Sequence, residues 1–68
     1  MKTYTFNFTT SQGSMNLMIE GDFKGLPKAI DYARHVMDEM YFYMPNGEDL
    51  TYTIHHNGEL VWEENRTK

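Results

Sequence analysis

The spacing of the apolar residues changes twice along this chain, and that limits the folds open to it. From Lys2 to Thr9, Tyr4, Phe6 and Phe8 alternate with Thr3, Thr5, Asn7 and Thr9, the period of a strand with one buried face. Thr10 to Ser14 contain Gly13 and read as a turn, after which Met15, Leu17 and Ile19 alternate with Asn16, Met18 and Glu20. Residues 2–20 are therefore expected to form a hairpin. The period then becomes helical, with apolar residues at 26, 30, 33, 37, 40, 41 and 44. Pro27 suits a first helical turn, and Pro45 both ends a helix and restricts Met44 before it, so a helix is expected over 27–42. Alternation returns at Leu50 with Tyr52, Ile54 and His56. Asn57-Gly58 is the signature of a type I′ turn, which leads into Leu60, Val61 and Trp62. A second hairpin is expected over 50–63, with residues 64–68 left as a polar tail.

This order implies an α+β domain of two layers, ββαββ, in which one helix packs on one face of a four-stranded antiparallel sheet. The helical stripe should meet Tyr4, Phe6, Phe8, Leu17, Ile19, Tyr52, Ile54, Leu60 and Trp62. The opposite face, with Thr3, Thr5, Thr51 and Thr53 beside Met18, Glu20, His55, Val61 and Glu63, should be solvated or an interface. With 68 residues the chain has room for one small domain, and with no cysteine it has neither disulfides nor thiolate chemistry. Small folds without such staples often gain stability by associating, so a homodimer is a natural expectation. The alternating N-terminal segment is no signal-peptide core and no apolar run reaches the length of a membrane span, which points to a soluble, unprocessed, cytoplasmic chain.

Ten acidic residues against six Lys and Arg give a net charge of −4, and the basic residues are scattered. That excludes a phosphate-binding surface as the leading idea, so no direct nucleic-acid partner is expected. His55 and His56 are adjacent in a strand and point to opposite faces, His35 lies on the helix face turned from the sheet, and no metal-ligand spacing occurs. No cofactor and no metal are expected. A nucleophile with its base, or carboxylates held across a dry cleft, is also missing, and the chain reads as a non-enzyme. On the helix, Asp31 can pair with Lys28 and Asp38 with Arg34, an ordinary stabilising arrangement.

The informative feature is the outer helix face. At 100° per residue, Lys28, Asp31, His35, Asp38, Glu39 and Phe42 cluster opposite the buried stripe, with Tyr32 and Tyr43 on its flanks. Together with Glu48 and Asp49 from the following loop they form an acidic and aromatic patch suited to a protein partner with a basic surface. The anchor of such a patch would be Phe42, provided that it faces outward. In type, a very small, cysteine-free, acidic α+β chain resembles the phage and mobile-element inhibitors of host enzymes, including polymerase and CRISPR inhibitors. Because basic surfaces commonly belong to proteins that hold nucleic acid, the acidic patch itself suggests an inhibitor that occupies such a groove by charge mimicry. The alternative is an assembly protein that self-associates through the Thr-rich sheet face or an edge strand.

Overall fold

A computed structural model describes residues 1–68 and has the ββαββ architecture. Strands β1 (Lys2–Thr10) and β2 (Asn16–Phe23) precede helix α1 (Leu26–Tyr43), and β3 (Asp49–His56) and β4 (Glu59–Thr67) follow it. All pairings are antiparallel and the order is β2-β1-β3-β4, so the two inner strands come from different hairpins. Hydrophobic alternation does not encode that order.

The inner strands carry the largest fully buried side chains. Phe6 and Phe8 on β1 and Leu50, Tyr52 and Ile54 on β3 are fully buried. Above them the helix offers Ala29 and Ala33, also fully buried, followed by Met37 and Met40. Small helix residues over large strand residues let the two layers approach closely. Tyr32 belongs to this packing and not to the surface patch. Its ring sits 5.4 Å from Phe6 and 5.2 Å from Phe23, which removes it from the candidate partner-binding residues. Gly21 makes the Phe23 position workable, since a Cβ there would stand 3.1 Å from the Phe23 ring.

Local signals behave as their chemistry requires. Asn57 and Gly58 both adopt positive φ, 54° and 79°, as a type I′ turn demands. Met44, the residue before Pro45, leaves the helix for extended backbone.

Three expectations fail, for definable reasons. Leu60 is not in the core. A register irregularity between Ile54 and His55 pairs them with Trp62 and Leu60, so Val61 is an extra residue in β4. The bulge puts Leu60 on the outer face beside His55, where it is 51% exposed, and lets Val61 pack against the core's margin. Leu17 stays on the inner face but lies on an edge strand and is 39% exposed. The polar tail is also replaced by structure, because β4 runs to Thr67. Beyond the bulge the inner face of β4 is Trp62, Glu64 and Arg66, and these polar residues reach to the helix and the core.

Glu64 is the centre of that contact. Arg34 on the helix donates to it through both Nε (3.1 Å) and an Nη (3.2 Å), while the buried Tyr52 hydroxyl donates to Oε1. Trp62 Nε1 donates to the Tyr52 oxygen at 3.1 Å. Asp38 pairs with Arg66 of β4, so the expected pairing of Asp38 with Arg34 is not formed. Donation from Arg34 and then from Tyr52 holds the Glu64 carboxyl below its ordinary value of 4.5, while burial, with Glu64 next, pushes the Tyr52 hydroxyl up to about 12. The folded state then binds Glu64's proton less readily than the unfolded chain. Stability from this group is complete above the unfolded value and is lost as pH falls through the lower folded one. Denaturant midpoints should be level from about pH 8 to about pH 5.5 and fall below about pH 4.5. Glu64→Gln should lower the neutral plateau by about 1–2 kcal/mol and flatten part of the acid slope, as read by denaturant unfolding against pH.

Candidate functional site

The last two turns of α1 place His35, Asp38, Glu39, Phe42 and Tyr43 around one shallow surface depression. Their spacing of three, one, three and one follows from helix geometry, which stacks residues three and four apart on one face. Phe42 faces outward, and it and Tyr43 are each 76% exposed. Their rings meet edge to face with centroids 5.1 Å apart, a favourable aromatic geometry that holds them as one unit. His35 Nε2 lies 3.7 Å from a Glu39 oxygen, and both side chains remain largely exposed.

The end of the helix carrying these rings is held from below. Lys68 reaches under the last turn, where Nζ donates to the carbonyls of Tyr41 (2.9 Å), Phe42 (3.3 Å) and Met44 (2.7 Å). These are among the carbonyls a helix terminus leaves without intrahelical partners. The Arg66 guanidinium stacks 4.2 Å from the centre of the Tyr41 ring and also binds Asp38. The expected tail thus supports the aromatic pair. Its signal was present as the even-numbered positions Glu64, Arg66 and Lys68, an alternation of charged residues that continues Trp62.

Glu48 and Asp49 do not join the patch. Glu48 is buried and accepts from Ser14 Oγ (2.7 Å) and the Gln12 amide (3.2 Å), which latches the β1–β2 turn to the loop after the helix. Its carboxyl is held below the ordinary range chiefly by the Ser14 bond. Asp49 exchanges bonds with Ser11, accepting from the Ser11 amide at 2.8 Å and donating its own amide to Ser11 Oγ at 3.0 Å. It lies in β3 on the sheet's outer face, away from the helix. Asp31 is exposed on the helix, one turn before His35. Of the nine residues expected in the patch, five converge, Asp31 lies beside them, and Tyr32, Glu48 and Asp49 are placed elsewhere.

The charge distribution also differs from expectation. With alternation and the strand register known, the outer sheet face carries Glu20, Asp22, Asp49 and Glu63 and no Lys or Arg. The remaining six acidic residues equal the six basic ones, so the net charge of −4 resides on the sheet face and the helix side is balanced. Asp38 is neutralised by Arg66, which leaves Glu39 as the main acidic group at the aromatic pair.

The histidines are kept apart. His55 is on the outer face, His56 Nδ1 lies 3.0 Å from the Thr3 carbonyl with its ring 5.1 Å from Tyr4, and His35 is on the helix. No three His, Asp or Glu side chains gather in a metal-binding arrangement, and no helix is long and apolar enough to cross a membrane. No protein-family model, curated protein or solved structure matches the chain.

Removing the support should act differently from removing the rings. Lys68→Met is expected to speed amide hydrogen exchange in the last helical turn while leaving the protection of β1 and β3 intact. Phe42→Ala should change unfolding free energy by no more than about 0.5 kcal/mol, since the ring is outside the core.

Proposed function

We propose that this chain is a non-enzymatic protein-binding domain that docks through Phe42 and Tyr43. The observation that carries the reading is the pair itself. Two adjacent aromatic rings stand in solvent at the end of a helix whose last carbonyls are separately tied down. Neither ring belongs to the core, so turning both toward a partner takes nothing from the fold's packing, and in a complex each can fill an apolar pocket. A solvated aromatic pair on a backbone that is tied down is the kind of feature from which interface hot spots are made.

The partner's chemistry follows from what borders the rings. Glu39 is exposed, His35 is its only neighbour of opposite charge and only when protonated, and Asp38 can exchange Arg66 for a partner cation. The fitting surface is an apolar pocket edged by Lys or Arg on another protein. A concrete form is an inhibitor that covers a basic groove otherwise occupied by nucleic acid. The net charge of −4 draws the chain toward basic surfaces at long range, and because it lies on the sheet face, attraction at the docking face itself comes from Glu39.

The test is affinity capture from a candidate host lysate, followed by titration of each recovered protein against variants. Phe42→Ala/Tyr43→Ala is expected to weaken a genuine partner by about thirty-fold or more, the cost of a hot-spot pair. Glu39→Lys should chiefly slow association and reduce its salt dependence. If every captured protein binds wild type and the aromatic double variant equally, the docking face is elsewhere. For the inhibitor form, the chain should displace nucleic acid from the partner at stoichiometric concentration.

A further inference from the structure

The two outer strands of the sheet are not equivalent. β4 is protected as an edge by the bulge at Val61 and by Glu59, Glu63, Glu64 and Arg66 along its length. β2 has no bulge, proline, lysine or arginine, and its first half, Asn16 to Ile19, has no charge at all. It also carries two adjacent exposed apolar side chains, Met18 at 70% and Leu17 at 39%, where β4 has Leu60 alone. The amide of Thr10 donates to the Met15 carbonyl, which makes residues 10 and 15 a hydrogen-bonded pair in the hairpin. By alternation along an antiparallel ladder, Leu17, Ile19 and Gly21 also bond toward β1. The amides and carbonyls of Asn16, Met18, Glu20 and Asp22 therefore point out of the free edge.

We infer that a second copy of this chain adds to that edge, β2 against β2 and antiparallel, with Met18 on the two-fold axis. The charges select the register. With Met18 opposite Met18 of the copy, Glu20 faces Asn16 and Asp22 lies beyond the uncharged stretch. A slip to an Ile19-centred register brings the two Glu20 carboxylates into diagonal contact, and a Glu20-centred one sets them directly opposed. In the selected register Leu17 of each copy meets Ile19 of the other on the inner face, which covers the exposed flank of both cores. The eight strands then form one sheet with both helices on the same side, and the Phe42–Tyr43 pair stays free in each copy.

Stacking through the Thr-rich face, the other self-association geometry, would set four carboxylates against four with no cation between them. Edge addition avoids that repulsion. The contact is isologous, as a closed dimer requires.

Analytical ultracentrifugation of the full chain, from about 10 μM to about 1 mM, tests the inference. Wild type is expected to show a concentration-dependent dimer. Met18→Lys, a change at an exposed side chain, should weaken it at least about tenfold by opposing two ammonium groups on the axis. Leu60→Lys, on the same face but beyond the far edge of the contact, should leave it unchanged. Register is read by disulfide trapping, which the absence of native cysteine makes clean. A mixture of Leu17→Cys and Ile19→Cys chains should cross-link, and Ile19→Cys alone should not. A wild type that remains monomeric at about 1 mM overturns the inference, as does a dimer indifferent to Met18→Lys, one lost in Leu60→Lys, or cross-linking of Ile19→Cys with itself.

Discussion

The structure depends on the contact of Ala29 and Ala33 with the aromatic floor of β1 and β3. Two strands from separate hairpins can lie side by side only if something covers their common face, and the helix does so with side chains small enough to bring its backbone close. Phe6, Phe8, Tyr52 and Ile54 then lose all contact with water, and burial of each of the apolar three, Phe6, Phe8 and Ile54, stabilises the fold by about 1.5–3 kcal/mol before the entropy of ordering is set against it. A larger residue at either alanine would lift the helix and expose this floor. The approach also decides which residues are left over. Seated over the central strands, the helix leaves the flank of β2 uncovered and turns Phe42 and Tyr43 outward at its far end.

The two sides of the sheet are finished by different means. Toward β4 the inner face is polar, and Glu64, Arg34, Tyr52 and Trp62 close the gap between strand and helix with directional bonds. Such a cluster is stable because its carboxylate is fully partnered, and removing one member would leave another half-buried group unsatisfied. Toward β2 there is no such cluster. Phe23 folds over the edge onto Tyr4, Phe6 and Tyr32, but Leu17 and Met18 have nothing to cover them. One flank is sealed by hydrogen bonds, the other by aromatic packing that stops short of the edge.

How far the sequence could be read follows from which signals are local. The element order and the type I′ turn are set by residues within a few positions of one another, so periodicity and turn chemistry found them. The outward setting of Phe42 was legible in the same way, from its angle on the helix. Strand order was not, because an alternating strand does not name its neighbour. The bulge was hidden by three consecutive apolar residues, Leu60, Val61 and Trp62, any of which fits an inward position. Glu48 looked like a surface acid because its partners, Ser14 and the Gln12 amide, lie 34 and 36 residues away. Tyr32 looked peripheral on the helix because Phe23 and Gly21, which create its site, belong to another element.

The separation of charge from aromatic surface has consequences for any partner. The acidic sheet face and the Phe42–Tyr43 pair are on opposite sides of a two-layer domain, so one flat surface cannot contact both. In the proposed docking mode, charge would act at a distance, by accelerating encounter with a basic protein, while contact energy would come from the rings and from Glu39 beside them. High salt would therefore slow association more than it would hasten release. A grooved partner is the exception, since walls on both sides could engage the acidic face and the aromatic pair together, and for such a partner salt would act on release as well.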